Sequence, residues 1–272
     1  MRQKKWTDKE DSFIRRRFID ARPIDRPSIP RLTELLEKWY KNGRTQDAVR
    51  NRAHILRREK QQQGTVARRQ QWFEGARFGF YDIETVSGFA ANYGAMSSWA
   101  IYIPERGVEV LEDGRLMVDM DGEVRYDAWK RSEAINPKKF DKRIVKSLVR
   151  TIWDDVDVLV GYYSSRFDDR YIRTRAGYWG IPFPQYQQKY AYDVWKNIRA
   201  THKLGRNTLE QATQLYGIEG KNHVIADVWN AARVGDPEAM KYVVEHNIED
   251  VKILAQLFNL TNGSRPLSRT SL

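Results

Sequence analysis

The 272-residue sequence has no cysteine. That absence removes disulfide frameworks and thiolate zinc sites from consideration. Histidine is scarce, with four residues scattered along the chain, so a histidine-rich metal cluster is excluded as well. No apolar run approaches a membrane span and no leader segment is visible. A cytoplasmic chain with no membrane partner is therefore expected. There is no Gly-rich phosphate loop, which argues against nucleotide hydrolysis, and no internal repeat.

What is present is charge, unevenly spread. The formal net charge is +11. Residues 1–74 hold 20 Lys and Arg against 10 Asp and Glu, whereas residues 75–272 hold 27 against 26. Nearly all the basic excess therefore sits in the N-terminal quarter, as in a nucleic-acid-binding appendage. That segment is also patterned. Thr7-x-x-Glu10 is a capping box, and Phe13, Ile14 and Phe18 give an apolar stripe on a first helix. A turn follows with Pro23, Pro27 and Pro30. Leu32, Leu35, Leu36 and Trp39 mark a second helix ending at Asn42-Gly43. Thr45 caps a third, in which Ala48, Val49, Ala53, Ile55 and Leu56 supply packing, decorated by Arg44, Arg50, Arg52, Arg57 and Arg58. Three short helices with a basic third one describe a helix-turn-helix unit over residues 1–60. Residues 61–74, Gln-rich and basic without a sustained apolar period, read as a linker.

Residues 75–262 are long enough for one substantial core. Strands are expected near 77–83, 96–104, 107–119, 156–162 and 189–195, broken by turns at Glu105-Arg106-Gly107 and Glu112-Asp113-Gly114. Helices are expected near 139–153, over Phe167–Tyr178 and from Pro237 onward. The sum is an α/β fold, a mixed sheet with flanking helices. Residues 263–272 read as a flexible tail.

Three segments carry acids in suggestive places. In the apolar run ending Phe80-Tyr81-Asp82-Ile83-Glu84, Asp82 and Glu84 are i and i+2 on a strand and project to the same face. Two carboxylates there are costly to bury unless a cation joins them; the alternative is a strand end running into a solvated loop. Asp168 follows a second β-branched run, at the start of a helix with Tyr171, Ile172 and Tyr178 inward. It is either a site residue or a dipole-favoured helix-start acid, and Asp169 competes for both roles. Asp250 lies on a helix capped by Asp236-Pro237 and striped by Met240, Val243, Val244, Val251, Leu254 and Phe258. His246, one turn earlier, shares its face and has the chemistry of a general base; a solvated His–Asp pair is the alternative.

The order and spacing of YDIET, VGYYSSRFDDRYI and HNIED resemble the three motifs of the DEDD exonuclease superfamily. These are the ribonuclease H-like nucleases that include the proofreading exonucleases of DNA polymerases. The resemblance runs from about Arg77 to Leu260. It implies a ribonuclease H-like sheet and two Mg²⁺ or Mn²⁺ ions held by Asp82, Glu84, Asp168 and Asp250. It also implies 3′-5′ hydrolysis of DNA, on single-stranded or duplex 3′ ends. RNA, branched DNA cut internally, and a non-catalytic DNA-binding protein are the alternatives. One feature departs from the pattern: the branch with this spacing carries Tyr where His246 stands, and the branch that uses His places it one residue further from the last Asp. The N-terminal segment resembles a Myb/SANT-type repeat, whose third helix enters the DNA major groove. Lys203, Arg206 and Lys221 are candidate phosphate contacts near the nuclease site, and Tyr162, Tyr163 and Phe167 are candidate base-stacking groups.

Overall fold

The computed structural model describes residues 5–22, 25–86, 90–185, 187–219, 225–262 and 270–272; over 65–71 and 270–271 only the backbone is described. The chain divides into two units, Met1–Gln71 and Trp72–Leu272.

In the first unit, α1 (Asp8–Ile14) begins with the reciprocal Thr7/Glu10 capping box and continues as a π-helical turn over Arg15–Ile19. The second helix, α2 (Ile29–Tyr40), is capped by Ser28 with Pro30 in its first turn. The third, α3, spans Gln46–Phe73, and the Thr45 hydroxyl accepts from the Ala48 N–H at 3.2 Å. Phe13, Ile14, Ile19, Leu32, Leu36, Val49, Ala53 and Leu56 form the core. Three expectations need correction. Trp39 is 66% exposed. The inward position falls instead to Tyr40, which continues the four-residue step Leu32–Leu36 and stacks edge-on against Phe13 at 5.7 Å. Ile55 is also exposed, beside buried Leu56. The segment read as a linker is helical, since α3 runs unbroken through residues 61–73.

The second unit is built on a six-stranded sheet of order β5-β2-β1-β6-β7-β8. Its strands are β1 (Phe78–Thr85), β2 (Met96–Pro104), β5 (Gly122–Ala128), β6 (Val158–Gly161), β7 (Tyr190–Asp193) and β8 (Thr270–Ser271). β1 pairs antiparallel with β2 and parallel with β6, and β6 parallel with β7, so the sheet is mixed. The stretch over 107–119, with its expected turn at Glu112-Asp113-Gly114, is a hairpin separate from the main sheet, β3 (Val108–Val110) with β4 (Leu116–Val118). Asn262 brackets Leu116, accepting from its N–H and donating to its carbonyl at 2.7 Å each. Asn259 does the same for Val118 at 2.8 and 3.0 Å. The supposed tail is partly ordered: β8 pairs with β7 and Leu272 is buried.

Helices cover both faces. They are α4 (Arg131–Ala134), α5 (Lys142–Asp155), α6 (Asp168–Trp179), α7 (Val194–Thr201), α8 (Leu209–Leu215), α9 (Ala226–Arg233) and α10 (Pro237–Thr261). One core gathers the odd-numbered β1 side chains Tyr81 and Ile83 with α5, α6 and the first turns of α10. The other gathers Phe78 and Phe80 with α7, α8 and the later turns of α10, including Phe258. α10 thus crosses from one core to the other, and the crossing falls at residues 246–250. In α6, Tyr171 and Ile172 are buried as expected, but Tyr178 is exposed. Arg175 takes the inward place, on the helical step 168, 171, 172, 175. No helix among the described residues is long and apolar enough to cross a membrane.

Candidate active site

The pleat of β1 puts Asp82 and Glu84 on the same face as Phe78 and Phe80, whose rings pack on Phe258 of α10 at 6.0 and 5.4 Å. One turn and more before Phe258, α10 therefore passes over the acids. Asn247 Nδ2 donates to Asp82 Oδ2 at 3.3 Å. Glu84, His246 and Asp250 converge so that one ligand atom from each lies within 4.8 Å of the others. His246 Nε2 stands 3.8 Å from Asp250 Oδ2, both side chains nearly buried. The indole of Trp229 on α9 meets the His246 ring edge-on at 6.4 Å.

Asp168 enters from the other side. Pairing of β1 with β6 stops at Phe80↔Val160, so beyond that point β1 has no strand on its β6 side and the head of α6 fills the gap. The Asp168 carboxylate is 5% exposed. Burial, and then the charges of Asp169 and Asp193, push its pKa up to about 8, partly offset by its own backbone N–H and that of Ile83. Its neighbour Asp169 is spoken for, because it accepts from the Tyr81 hydroxyl. Burial raises Asp169 too, and the Tyr81 bond opposes the shift.

The turn that presents Asp168 is fixed by Asp193 at the end of β7. Asp193 accepts from the N–H groups of Tyr163 (2.8 Å), Ser165 (3.2 Å) and Trp195 (3.1 Å), and from the Ser165 hydroxyl (2.6 Å). It is a structural acid capping α7. Gly161 is required here: a Cβ on it would stand 2.3 Å from that of Ser164.

The donors suit a hard divalent cation, being carboxylate oxygens with one imidazole. Asp168 is consistent with this, because burial and the adjacent carboxylates disfavour its charged form and a cation beside it would favour that form. The tight group of three comprises Glu84, His246 and Asp250. Asp82 and Asp168 flank it, Asp82 bonded to Asn247 and Asp168 to the Ile83 backbone.

The expected nucleic-acid contacts divide. Arg44 is buried against Glu10 at 3.1 Å, with its guanidinium 4.2 Å from the Trp6 ring centre. Arg52 forms a fork with Asp11 across α1 and α3. These two tie the helices of the unit together. Arg50, Arg57 and Arg58 are exposed, Arg50 beside Asp47 and Arg57 over the Phe18 ring. Lys203 and Arg206 are exposed in the loop after α7, and Lys221 lies outside the described residues, as do Pro23 and residues 87–89. Asn247 went unnoticed in the sequence. Its signal was available, as a polar residue in register with the buried stripe of Val243, Asp250, Val251 and Leu254.

A mixed sheet in which β1 pairs antiparallel with β2 on one side and parallel with β6 on the other, with carboxylates at the end of β1 opposite the long helix α10, has the form of a ribonuclease H-like protein. A family profile described as RNase_H superfamily matches residues 119–262, and the chain belongs to that superfamily. The matched segment contains Asp168, His246 and Asp250, while Asp82 and Glu84 precede it. Among solved structures the chain is similar to the family B DNA polymerase of the hyperthermophilic archaeon Pyrobaculum calidifontis, at 18% identity and a TM-score of 0.50 over 67% of this chain. It spans about a quarter of that polymerase, 24% of its length, and the likeness is one of fold. No curated protein matches the sequence.

Proposed function

We propose that the chain is a metal-dependent nuclease, a 3′-5′ exonuclease acting on DNA and held on it by the N-terminal helical unit. The observation that carries the proposal is the convergence of Glu84, His246 and Asp250 from β1 and α10, with the buried Asp168 facing β1 from α6. Asp82, Glu84, Asp168 and Asp250 would hold two Mg²⁺ or Mn²⁺ ions. When bound, such ions acidify a water and neutralise charge developing at phosphorus and the leaving oxygen. Asp168 gives up its proton to serve in this set. Asn247 fixes the rotamer of Asp82. His246 accepts a proton from the attacking water at Nε2, and Trp229 limits the other water that reaches the ring. The exposed Arg50, Arg57 and Arg58 contact phosphates of the bound duplex, and Lys203 and Arg206 those of the strand entering the site.

A second reading of His246 follows from its distances: it is near enough to Glu84 and Asp250 to be a ligand itself. His246→Gln separates the two. Loss of the acidic limb of the pH–activity profile with unchanged metal requirement supports a proton acceptor, whereas a raised metal requirement supports a ligand.

The test of the main proposal is digestion of a 5′-labelled single-stranded DNA oligonucleotide with Mn²⁺, Mg²⁺ or EDTA, beside an RNA of the same sequence. A metal-dependent ladder shortening from the 3′ end, lost in Asp82→Ala and Asp168→Ala, is expected. Internal cuts would replace the exonuclease assignment, preference for RNA the substrate assignment, and intact substrates throughout would overturn catalysis.

A further inference from the structure

We propose that Tyr163, Trp195 and Arg199 form a ledge on which one unpaired base of a single strand stacks as it enters the site; the inference rests on the nuclease reading above. Of the three aromatic residues around the Asp168 turn, two are committed elsewhere. The Tyr162 hydroxyl donates to the carbonyls of Asn207 and Thr208, at 3.1 Å each. Phe167 packs on Tyr171 at 5.5 Å. Tyr163 is 44% exposed. Its ring meets the Trp195 indole at 4.8 Å and 77°, and the Arg199 guanidinium lies 5.0 Å from the Trp195 ring centre.

The backbone makes this exposure telling. Tyr163 has φ of +64°, a conformation that Gly and Asn adopt more readily than a bulky residue. The turn is held in place by the Tyr163 N–H on Asp193 and by the Tyr163 carbonyl, which accepts from Arg166 and Phe167 at 3.0 and 3.2 Å. A large aromatic ring therefore occupies a position where the turn alone favours a small residue, and the turn delivers that ring five residues before Asp168. Outliers held by surrounding structure concentrate at functional sites. The neighbours supply the matching charge: Arg166, Arg170, Lys196 and Arg199 are all exposed. An aromatic face among cations suits a nucleobase with its phosphates, and suits any base sequence, because every base has a π-face. An acidic or apolar protein segment would use the charge or the ring, but not both.

The test compares the full wild-type chain with Tyr163→Asn and Tyr163→Phe. Each is given short single-stranded DNA that is intact or abasic at one position, stepped from the 3′ end. Binding is read in EDTA, KM and kcat with Mn²⁺, and thermal midpoints alongside. Tyr163→Asn should weaken binding and raise KM on intact strand by roughly tenfold with little change in kcat, without lowering the thermal midpoint. Its effect should vanish on the strand abasic at one particular position, and Tyr163→Phe should match wild type. Unchanged binding and KM in Tyr163→Asn, or an equal loss on every abasic strand, overturns the ledge while leaving the nuclease standing. A wild-type chain that neither binds nor cuts any strand overturns both.

Discussion

Removing Arg175 from the middle of α6 should cost more stability than any surface change in this protein. Arg175 is 2% exposed and its partner Asp141 is fully buried. Nε and Nη2 of Arg175 donate to the two carboxylate oxygens at 2.8 and 2.6 Å, and Nη1 donates to the Ala91 carbonyl at 3.1 Å. Asp141 also accepts from the Met96 N–H at 2.8 Å and the Trp179 indole at 2.7 Å. Arg175→Met keeps much of the aliphatic volume, so little cavity forms, but Asp141 retains two donors of four and its charge loses its counterion. Truncating one partner of such a buried pair costs about 3–5 kcal/mol. For a unit of this size that lowers the thermal midpoint by roughly 6–20 °C. Asp141→Asn, which keeps an acceptor but strands the guanidinium, should cost a similar amount. The double variant should cost clearly less than the sum, with a coupling of about 1–3 kcal/mol. Scanning calorimetry of the three variants, with circular dichroism of the folded states, checks this. A loss below about 1 kcal/mol for Arg175→Met, or strict additivity, would refute the claim that this pair clamps α6 to the strand face. Because α6 begins at Asp168, the single variants should also lower cleavage at temperatures well beneath their midpoints.

The titration of Asp168 gives a second expectation. Its folded pKa, pushed up to about 8, lies above the ordinary carboxyl value of 3.8, so between those values the folded state holds the extra proton. Stability of the metal-free chain should fall as pH rises through that window and level off above it. Thermal midpoints in EDTA should show this slope in wild type and a flatter one in Asp168→Asn; equal slopes would mean the carboxyl is not buried. Gly161→Ala forces a Cβ against Ser164 and should destabilise by about 1–3 kcal/mol. It should also reduce cleavage out of proportion, by shifting the turn before Asp168, and normal activity at full folding would be the contrary result. Among the N-terminal arginines, Arg50, Arg57 and Arg58 changed together to Ala should weaken duplex binding and reduce its salt dependence. Arg44→Ala should lower the thermal midpoint instead, and the reverse pattern in filter binding and calorimetry would exchange their roles.

Which face each acid occupies was legible from two periodicities. A step of two puts Asp82 beside Glu84, and a step of four puts His246 beside Asp250. Neither step measures the gap between strand and helix; that is set by Phe78 and Phe80 packing on Phe258. Other features left weaker traces. β5 is a polar edge strand, GEVRYDA, with no residue fully buried, so it offers no apolar alternation to read. Arg175 and Asp141 are 34 residues apart, and each alone looks like an ordinary surface charge. Residues 61–73 continue a helix without an apolar stripe, so helical order there follows from propagation of α3 and leaves no hydrophobic period. Trp39, large and apolar, lies off the buried stripe of α2. The four-residue step from Leu32 through Leu36 to Tyr40 decides the matter.

The crossing of α10 between the two cores has a consequence for how the protein is made. The first acids lie at Asp82 and Glu84, and their partners lie on a helix of 25 residues that begins at Pro237. A nascent chain still threaded in the ribosome carries β1 long before α10 has emerged. Until that helix docks, Phe78 and Phe80 lack their lid and the acids have no imidazole beside them. Carboxylates from both ends of the sequence and the imidazole are brought together only by the docking of this last long helix on the sheet.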